Sequence, residues 1–375
     1  MFIKPFGIET WMNEFEDHCS YNLAETCIKS MTIGELLKLS GQNVDLASEI
    51  SETAMTYGEI KGSERLRSNI SSIYAHQKIE NILVTHGAIG ANSLVYNALI
   101  DPGDKVISII PNYQQHYSIP ESLGGNVSLL KLKPENSFLP DLNELRNMLS
   151  SNTKLISLTN PNNPTGSLID GQLLEELVAL AKTCGAYILC DEVYRGTNQV
   201  GAAYTSSIAD LYDKGISTGS MSKTYSLAGL RLGWIATSTE ILKLIFMHRD
   251  YNTISVGIIN DYFASMALEN KDKIAFRNQH IIKENLNILD RWVKKENGFS
   301  YIKPKGGTTA LLKYEYAIPS RDFCIKILEN TGVLFAPGGA MEMEGWIRIG
   351  YANDTEILAA GLEKVSEYLV RPHDF

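Results

Sequence analysis

The sequence predicts an α/β fold: a large domain with a mainly parallel sheet flanked by helices, joined to a smaller α+β domain. Strand-like and helix-like segments alternate through the middle of the chain, which is typical of parallel sheets with crossover helices. The last third instead combines long helical stretches with short strand-like runs. Because 375 residues exceed what one core usually supports, we expect a large domain over residues 46–260. Residues 1–45 and 261–375 are expected to form the smaller one.

The strands of the middle region are apolar runs bounded by turn residues. They are predicted at residues 82–85, 106–110, 154–159, 187–190 and, as a short one, 215–218. A helix lies between two of them: Asp170 can cap its start, Gly185 can end it, and apolar residues recur on one face between them. Strand, helix and strand in this order indicate parallel pairing.

The C-terminal third is predicted to be mostly helical after Ile258. Short strands are expected at residues 309–312 and 346–349. A last helix begins near Asp354, and its apolar face consists of residues spaced by four, three and four: Leu358, Leu362, Val365 and Leu369.

Composition narrows the classes of function. The formal net charge of −9 disfavours nucleic acid as a partner, because an acidic surface repels phosphate backbones. The five scattered cysteines contain no CxxC pair, so we expect no metal site, no disulfide framework and a cytoplasmic location. No signal peptide and no run of about 18 apolar residues is seen, so a membrane is not expected as a partner.

Polar residues follow three of the predicted strands. They are the run NPNNPTG at residues 160–166, Asp191 to Tyr194, and the run GSMSK at residues 219–223. Taken singly, each has an ordinary explanation: a surface lysine, a helix-capping aspartate, a turn. However, ligands of open parallel sheets bind beyond the carboxyl ends of the strands, where these residues would converge. The sequence therefore predicts a binding site there.

These runs also carry a family resemblance. NPNNPTG, then DEVY, then SMSKTYSLAGLRLGW, in this order and spacing, resemble the class I/II aminotransferases, which are fold type I pyridoxal-phosphate enzymes. The resemblance extends from about Tyr57 to Arg348. It implies pyridoxal 5'-phosphate as cofactor and transfer of an amino group from an L-amino acid to a 2-oxo acid.

The resemblance assigns the catalytic roles. Lys223 would hold the cofactor as a Schiff base and, once released, would act as general acid and base. Asp191 would pair with the pyridine nitrogen and keep it protonated. Asn163 and Tyr194 would hydrogen-bond the phenolic oxygen, and Tyr113 would stack on the ring, although His116 and Tyr117 lie nearby as alternatives.

The cofactor's phosphate needs hydrogen-bond donors and positive charge. The resemblance implies Ser220, Ser222 and the guanidinium of Arg231. The turn Gly87–Ala88–Ile89 precedes a helix-like run, and its backbone N–H groups suit an anion. Tyr57 resembles the tyrosine that reaches the phosphate of the neighbouring subunit, which implies a homodimer with sites at the interface. A buried aromatic residue of the dimer or of the core is the alternative.

Five positions bear on the substrate. Arg348, in WIRIG, resembles the arginine that binds the α-carboxylate, with Asn163 beside it. Glu25 could pair with a cationic side chain, or it could be a solvated surface residue. Thr308 and Thr309 stand where relatives often have aromatic residues, so we expect a more polar or roomier pocket.

Other functions stay open. The region around Thr308 bears some likeness to capreomycidine-synthase-like members of the family, so β-elimination, lyase chemistry or cyclisation of a basic, arginine-like amino acid is an alternative. A nucleotide-binding loop at residues 219–224 is a further alternative, although it lacks the full phosphate-loop spacing. So is a regulator that carries the cofactor without catalysis.

Overall fold

The computed structural model describes residues 2–41 and 46–370. Met1, residues 42–45 and residues 371–375 lie outside the described part, and the domain boundary predicted at residue 45 borders this gap.

The helices of the described residues are α1 (Gly7–Phe15), α2 (Ile33–Ser40), α3 (Leu46–Ser51), α4 (Glu64–Ser71), α5 (Gly87–Leu99), α6 (Gln115–Ser122), α7 (Leu142–Met148), α8 (Gly171–Cys184), α9 (Ile208–Leu211), α10 (Thr239–Arg249), α11 (Ile258–Glu269), α12 (Lys271–Lys295), α13 (Ser320–Thr331) and α14 (Thr355–Leu369).

The strands of the same residues are β1 (Tyr21–Asn22), β2 (Ile82–Thr85), β3 (Lys105–Ile110), β4 (Asn126–Lys131), β5 (Thr153–Thr159), β6 (Tyr187–Asp191), β7 (Gly215–Ser220), β8 (Gly233–Ala236), β9 (Phe299–Tyr301), β10 (Thr309–Tyr314), β11 (Val333–Leu334), β12 (Ala336–Pro337) and β13 (Trp346–Gly350).

The largest sheet in the described part has seven strands in the order β2–β8–β7–β6–β5–β3–β4. The strands from β7 to β4 pair in parallel, whereas β8 runs antiparallel to both β7 and β2. This confirms the predicted α/β fold with a mainly parallel sheet. The strand predicted at residues 215–218 is longer than expected, because it continues to Ser220, and it lies near the middle of the sheet.

Helices cover both faces of this sheet. Successive strand side chains point to opposite faces, so Ile107 and Ile156 pack in one cluster with α8, whereas Val106 and Leu155 pack in another with α5. All four side chains are buried.

Helix α8 begins and ends where the sequence predicts. The carboxylate of Asp170 accepts a hydrogen bond from the backbone N–H of Leu173 at 2.9 Å. Gly185 ends the helix in the left-handed conformation, with φ of 70°.

A second group of elements forms the remaining core. Strands β12, β13, β10 and β9 make an antiparallel sheet, and β1 pairs in parallel with β11. The N-terminal helix α1 packs into the same core through Ile8 and Trp11, and the Trp11 Nε1 donates a hydrogen bond to the carbonyl of Phe335 at 2.9 Å.

The packing refines the proposed domain limits. Met31 and Leu36, assigned to the small domain from sequence, pack in one cluster with Phe263 and Ala264 of α11 beside the large sheet. Ile274, early in α12, joins the same cluster, whereas Leu289 further along α12 belongs to the second core. We therefore propose that the chain leaves the small domain near residue 30 and returns to it within α12.

No helix within residues 2–41 and 46–370 has the length and apolar character needed to cross a membrane.

Candidate active site

A cavity of about 340 Å³ opens at the carboxyl ends of β5, β6 and β7, as expected for an open parallel sheet. Its walls also include residues of the N-terminal segment and Arg348 from β13, so both groups of elements contribute. The following predicted site residues line it: Glu25, Ala88, Ile89, Tyr113, Asn163, Asp191, Tyr194, Ser220, Ser222, Lys223, Arg231 and Arg348.

Lys223 follows β7 and is surrounded by polar atoms of the N-terminal segment. Its Nζ donates hydrogen bonds to the Oγ1 of Thr26 at 2.6 Å and to the Sγ of Cys27 at 3.2 Å, and it lies 3.8 Å from the Oε1 of Glu25. Burial disfavours the ammonium form, but the acidic groups of Cys27, Tyr194 and Glu25 outweigh burial and raise the pKa of Lys223. Sequence analysis assigned no role to Thr26 and Cys27, because they are far from Lys223 along the chain.

Thr308 holds the loop that contains Thr26. Its Oγ1 donates a hydrogen bond to the carbonyl of Thr26 at 2.6 Å, and both Thr308 and Thr309 are fully buried. Neither is among the residues that line the cavity. The expectation of a more polar or roomier pocket stays a prediction, and in the structure Thr308 holds a loop of the site.

Asp191 ends β6, and two hydrogen bonds hold its carboxylate in the cavity. Its Oδ2 accepts a hydrogen bond from the Nδ2 of Asn92 at 2.9 Å, and its Oδ1 accepts one from the N–H of Val193 at 3.1 Å. The Nε2 of His116 lies 3.6 Å from Oδ2. Only 6% of Asp191 is exposed. A carboxylate fixed in this way can pair with a protonated ring nitrogen.

His116 and Asn92 are positioned by further hydrogen bonds. The Nδ1 of His116 lies 2.9 Å from the Oγ of Ser157, and the Oδ1 of Asn92 accepts a hydrogen bond from Thr218 at 2.7 Å. His116, considered above for ring stacking, therefore faces Asp191 and is fully buried. Asn92 was not predicted, although its place near the start of α5, after the glycine turn, could have indicated it.

Donors for an anion gather at one end of the cavity. Ala88 and Ile89 lie in the first turn of α5, where backbone N–H groups have no intrahelical partner. Ser220, Ser222 and the guanidinium of Arg231 line the same cavity. The φ of Arg231 is 47°, a strained conformation that is often found at ligand sites. These groups suit a phosphate.

Gly87 does not line the cavity itself, but it lies against this anion-binding end. Its own φ is 66°, and a Cβ added there would lie 3.4 Å from the Nη2 of Arg231. A Cβ added to Gly233 of β8 would lie 2.4 Å from the Gly87 carbonyl carbon, so the turn packs directly on the strand. Gly87 thus shapes the turn that presents the N–H groups of Ala88 and Ile89.

Tyr113 is the aromatic residue of its segment that reaches the cavity. Its hydroxyl donates a hydrogen bond to the Oε1 of Glu9 at 2.8 Å, and its ring packs against Phe6, with centroids 4.5 Å apart. Burial and the charge of Glu9 raise the pKa of Tyr113. Tyr117 is buried and is absent from the described cavity lining.

Arg348 lies on β13 with only 5% of its surface exposed. Its Nη2 donates a hydrogen bond to the carbonyl of Ala24 at 3.0 Å, and its Nη1 donates one to the Oδ1 of Asn163 at 3.4 Å. Its Nε is buried and has no hydrogen-bond partner among the described residues. Because burial of an unpaired donor is costly, this guanidinium is suited to receive an anionic ligand.

Tyr194 is buried in the same wall. Burial raises the pKa of its hydroxyl, against the opposing effects of Lys223, Thr26 and Arg348. The hydroxyl therefore stays protonated at neutral pH and can donate a hydrogen bond.

Tyr57 lies away from the described cavity lining and is 73% exposed. It is therefore not the buried aromatic residue of a single chain that was considered as its alternative. Other large apolar side chains are also exposed, among them Met55 at 79% and Tyr251 at 96%.

The N-terminal helix contributes residues that sequence analysis missed. Ile8, Glu9 and Met12 of α1, and Glu16 just after it, line the cavity. Their positions depend on the docking of α1 onto the second core, and no local sequence pattern indicates that contact.

Comparison with known proteins agrees with this geometry. The family described as aminotransferase class I and II matches residues 30–365. A solved structure of a PLP-dependent aminotransferase from Streptococcus suis 89-1591 is 44% identical, with a TM-score of 0.95 over 98% of both chains. Capreomycidine synthase of Streptomyces vinaceus is 28% identical over 96% of this chain and 93% of its own length. Aspartate aminotransferase of Thermotoga maritima is 29% identical over 82% and 78%.

Proposed function

The chain belongs to the aminotransferase class I and II family, and from this premise we propose that it transfers an amino group from an L-amino acid to a 2-oxo acid. Its cofactor is pyridoxal 5'-phosphate, as in the proteins it is similar to. The observation that carries the proposal is the convergence of Lys223, Asp191 and Arg348 on one cavity. The three side chains offer an amine, a buried carboxylate and a partly unpaired guanidinium.

The cavity residues fit the cofactor group by group. Arg231, Ser220, Ser222 and the first N–H groups of α5 would hold the phosphate. Asp191 would hold the pyridine nitrogen, Tyr113 would stack on the ring, and Asn163 and Tyr194 would bind the phenolic oxygen. When bound, the cofactor supplies an electron-withdrawing ring that stabilises negative charge at the substrate's Cα.

The chain's own residues then position and move a proton. Arg348 would bind the α-carboxylate in a bidentate manner, which fixes the Cα–H bond relative to Lys223. With its amine free, Lys223 would take the proton from Cα and return it to the carbon two bonds away, on the other side of the amino nitrogen. Thr26 and Cys27 contact the Nζ in the structure. They would hold the amine between the carbon that loses the proton and the carbon that receives it.

We propose a homodimer with sites at the interface, in which Tyr57 reaches the partner's phosphate-binding end. The exposed large apolar side chains near Tyr57 in the sequence and on the segment before α11 support this, namely Met55, Tyr251 and Ile254. A stable mass of one chain by light scattering would contradict it. The free cysteines support a reducing, cytoplasmic location.

One observation favours a second type of reaction. Capreomycidine synthase is similar to this chain over almost its whole length. Loss of a β-substituent or ring closure would use the same residues around the cofactor, and these residues do not select among the reactions. β-Elimination or cyclisation therefore stays the alternative to amino transfer.

The test is a half-reaction assay. Holoenzyme is mixed with single amino acids, the visible band of the lysine-bound cofactor is followed, and the products are identified by mass spectrometry. Amino transfer predicts a stoichiometric 2-oxo acid and the aminated cofactor. Pyruvate-type or cyclised products with unchanged cofactor would favour the alternative instead.

A further inference from the structure

We propose that the amino acid accepted by this site carries a cation at the end of its side chain, bound by Glu25 with help from Glu9 and Glu16. This inference rests on the proposed function, because it concerns the substrate of the same site. We call these three residues the acidic wall. All three line the cavity and come from the N-terminal segment.

The first argument is the balance of charge in the cavity. The cationic side chains among the described lining residues are Lys223, Arg231 and Arg348. In the proposed complex Arg231 faces the phosphate and Arg348 receives the α-carboxylate, whereas Lys223 lies 3.8 Å from the Oε1 of Glu25 and binds the cofactor. The three carboxylates of the acidic wall therefore outnumber the one cation of the protein beside them, and a cationic side chain of the substrate would balance the excess negative charge.

The second argument is the Nε of Arg348, the nitrogen of this guanidinium that has no hydrogen-bond partner among the described residues. This nitrogen is also buried, which points to a ligand carboxylate. Arg348 also donates to the carbonyl of Ala24, the residue before Glu25, at 3.0 Å. A ligand held by its α-carboxylate at Arg348 therefore lies next to the acidic wall.

Glu25 itself is rigid and charged. Its Oε1 accepts hydrogen bonds from the N–H groups of Thr26 at 2.6 Å and Cys27 at 2.7 Å. Burial opposes its ionisation, but the charge of Lys223 and the hydrogen bonds from Cys27 and Thr26 prevail and lower the pKa of Glu25. A fixed carboxylate needs no reorganisation to receive an ammonium or guanidinium group.

The acids of the wall also influence one another. Burial and the charges of Glu25, Asp17 and Glu9 raise the pKa of Glu16, although the hydrogen bond from Asn22 opposes this. Like charges in one cavity repel, and a bound cation relieves that repulsion. Glu9 and Glu25 are half-buried, whereas Glu16 is exposed, so the wall extends from the interior to the rim.

The same geometry disfavours a substrate with a second carboxylate. A side-chain carboxylate would face Glu25 and Glu9, and the described lining offers no further arginine to bind it. Although aspartate aminotransferases are among the similar proteins, we therefore expect aspartate and glutamate to be poor amino donors here.

The test compares matched pairs of amino acids with the holoenzyme. Arginine is paired with citrulline and lysine with norleucine, because each pair differs in the side-chain charge. A charge-assisted hydrogen bond predicts a kcat/KM at least about tenfold higher for the cationic member. Equal values within each pair would overturn the inference, while turnover of citrulline and norleucine would leave the proposed function intact.

Variants test whether Glu25 causes the preference for cationic substrates. Glu25→Gln should reduce the cationic preference by about tenfold, measured as the ratio of kcat/KM within each pair so that any common effect on Lys223 cancels. Glu14→Gln is the matched control, because Glu14 also belongs to the N-terminal segment, on α1, but pairs with Arg321 outside the cavity lining, at 2.9 Å. An unchanged preference in Glu25→Gln would overturn the assignment of Glu25.

Equilibrium binding provides a readout that does not depend on turnover. The α-methyl derivatives of lysine and norleucine have no Cα proton to lose, so they bind without completing the reaction. Calorimetry should give a Kd at least about tenfold lower for the cationic ligand, and Glu25→Gln should remove most of that difference. Similar Kd values for the wild type would contradict the inference.

Discussion

The Nζ of Lys223 lies 2.6 Å from the Oγ1 of Thr26, a residue 197 positions earlier in the chain. Lys223 follows a central strand of the large sheet, whereas Thr26 lies in a loop that Thr308 holds through a hydrogen bond. The amine of Lys223 is thus positioned both by the large sheet and by the N-terminal loop that contains Thr26.

Removing the hydroxyl of Thr26 should slow proton transfer. In Thr26→Val the Nζ of Lys223 loses its hydrogen bond to the threonine hydroxyl, so we expect kcat to fall about tenfold or more. The KM should change little, because Arg348 still binds the substrate. Thr26→Ser keeps the hydroxyl and should restore kcat; failure of this rescue would show that the threonine acts only through packing.

Replacing the Asp191 carboxylate should impair both cofactor binding and turnover. In Asp191→Asn a neutral amide cannot balance the protonated ring nitrogen, and breaking such a buried pair predicts at least about a hundredfold loss in kcat. Equilibrium dialysis with pyridoxal phosphate and steady-state kinetics measure the two effects. Asp213→Asn, on the exposed turn before β7, is the control. Normal turnover in Asp191→Asn would contradict the role of Asp191.

The charge of Glu25 should set the pH dependence of cofactor addition to the apoenzyme. Its negative charge favours the ammonium form of Lys223 and so raises the pKa of Lys223. In Glu25→Gln that pKa falls, and more neutral amine is present at a given pH below it. Stopped-flow mixing with pyridoxal phosphate should show faster addition near neutral pH and a profile displaced to lower pH. A profile displaced to higher pH would refute this coupling.

Gly350 should be intolerant of a side chain. A Cβ added there would lie 1.7 Å from the carbonyl oxygen of Glu25, so the loop of Glu25 must move. We expect Gly350→Ala to lower the free energy of unfolding by roughly 1–3 kcal/mol, as in other overpacked sites, and to weaken the cationic preference. Thermal unfolding and the paired amino acids measure these effects. Gly229→Ala, which meets no atom within 4 Å, is the control and should be close to wild type.

The strands and helices of the large sheet were predictable because their signals are local. Asp170 and Gly185 mark the ends of α8, and the polar runs after β5, β6 and β7 meet at one edge because parallel strands end on the same side. The resemblance to the family rests on these same runs, and the match over residues 30–365 confirms it.

The parts that sequence analysis missed depend on long-range contacts. Glu9 and Glu16 reach the cavity only because α1 docks on the second core, and Thr26 reaches Lys223 only because of Thr308. The spacing of apolar and polar residues along the chain does not indicate such contacts.

The account depends most on Lys223 as the residue that holds the cofactor, and one measurement tests this directly. Holoenzyme is reduced with borohydride, digested and analysed by mass spectrometry, which fixes the cofactor to the amine that carried it. We predict the reduced pyridoxal-phosphate mass on the peptide containing Lys223, and its absence in Lys223→Ala. The same mass on another lysine, or on none, would contradict the account.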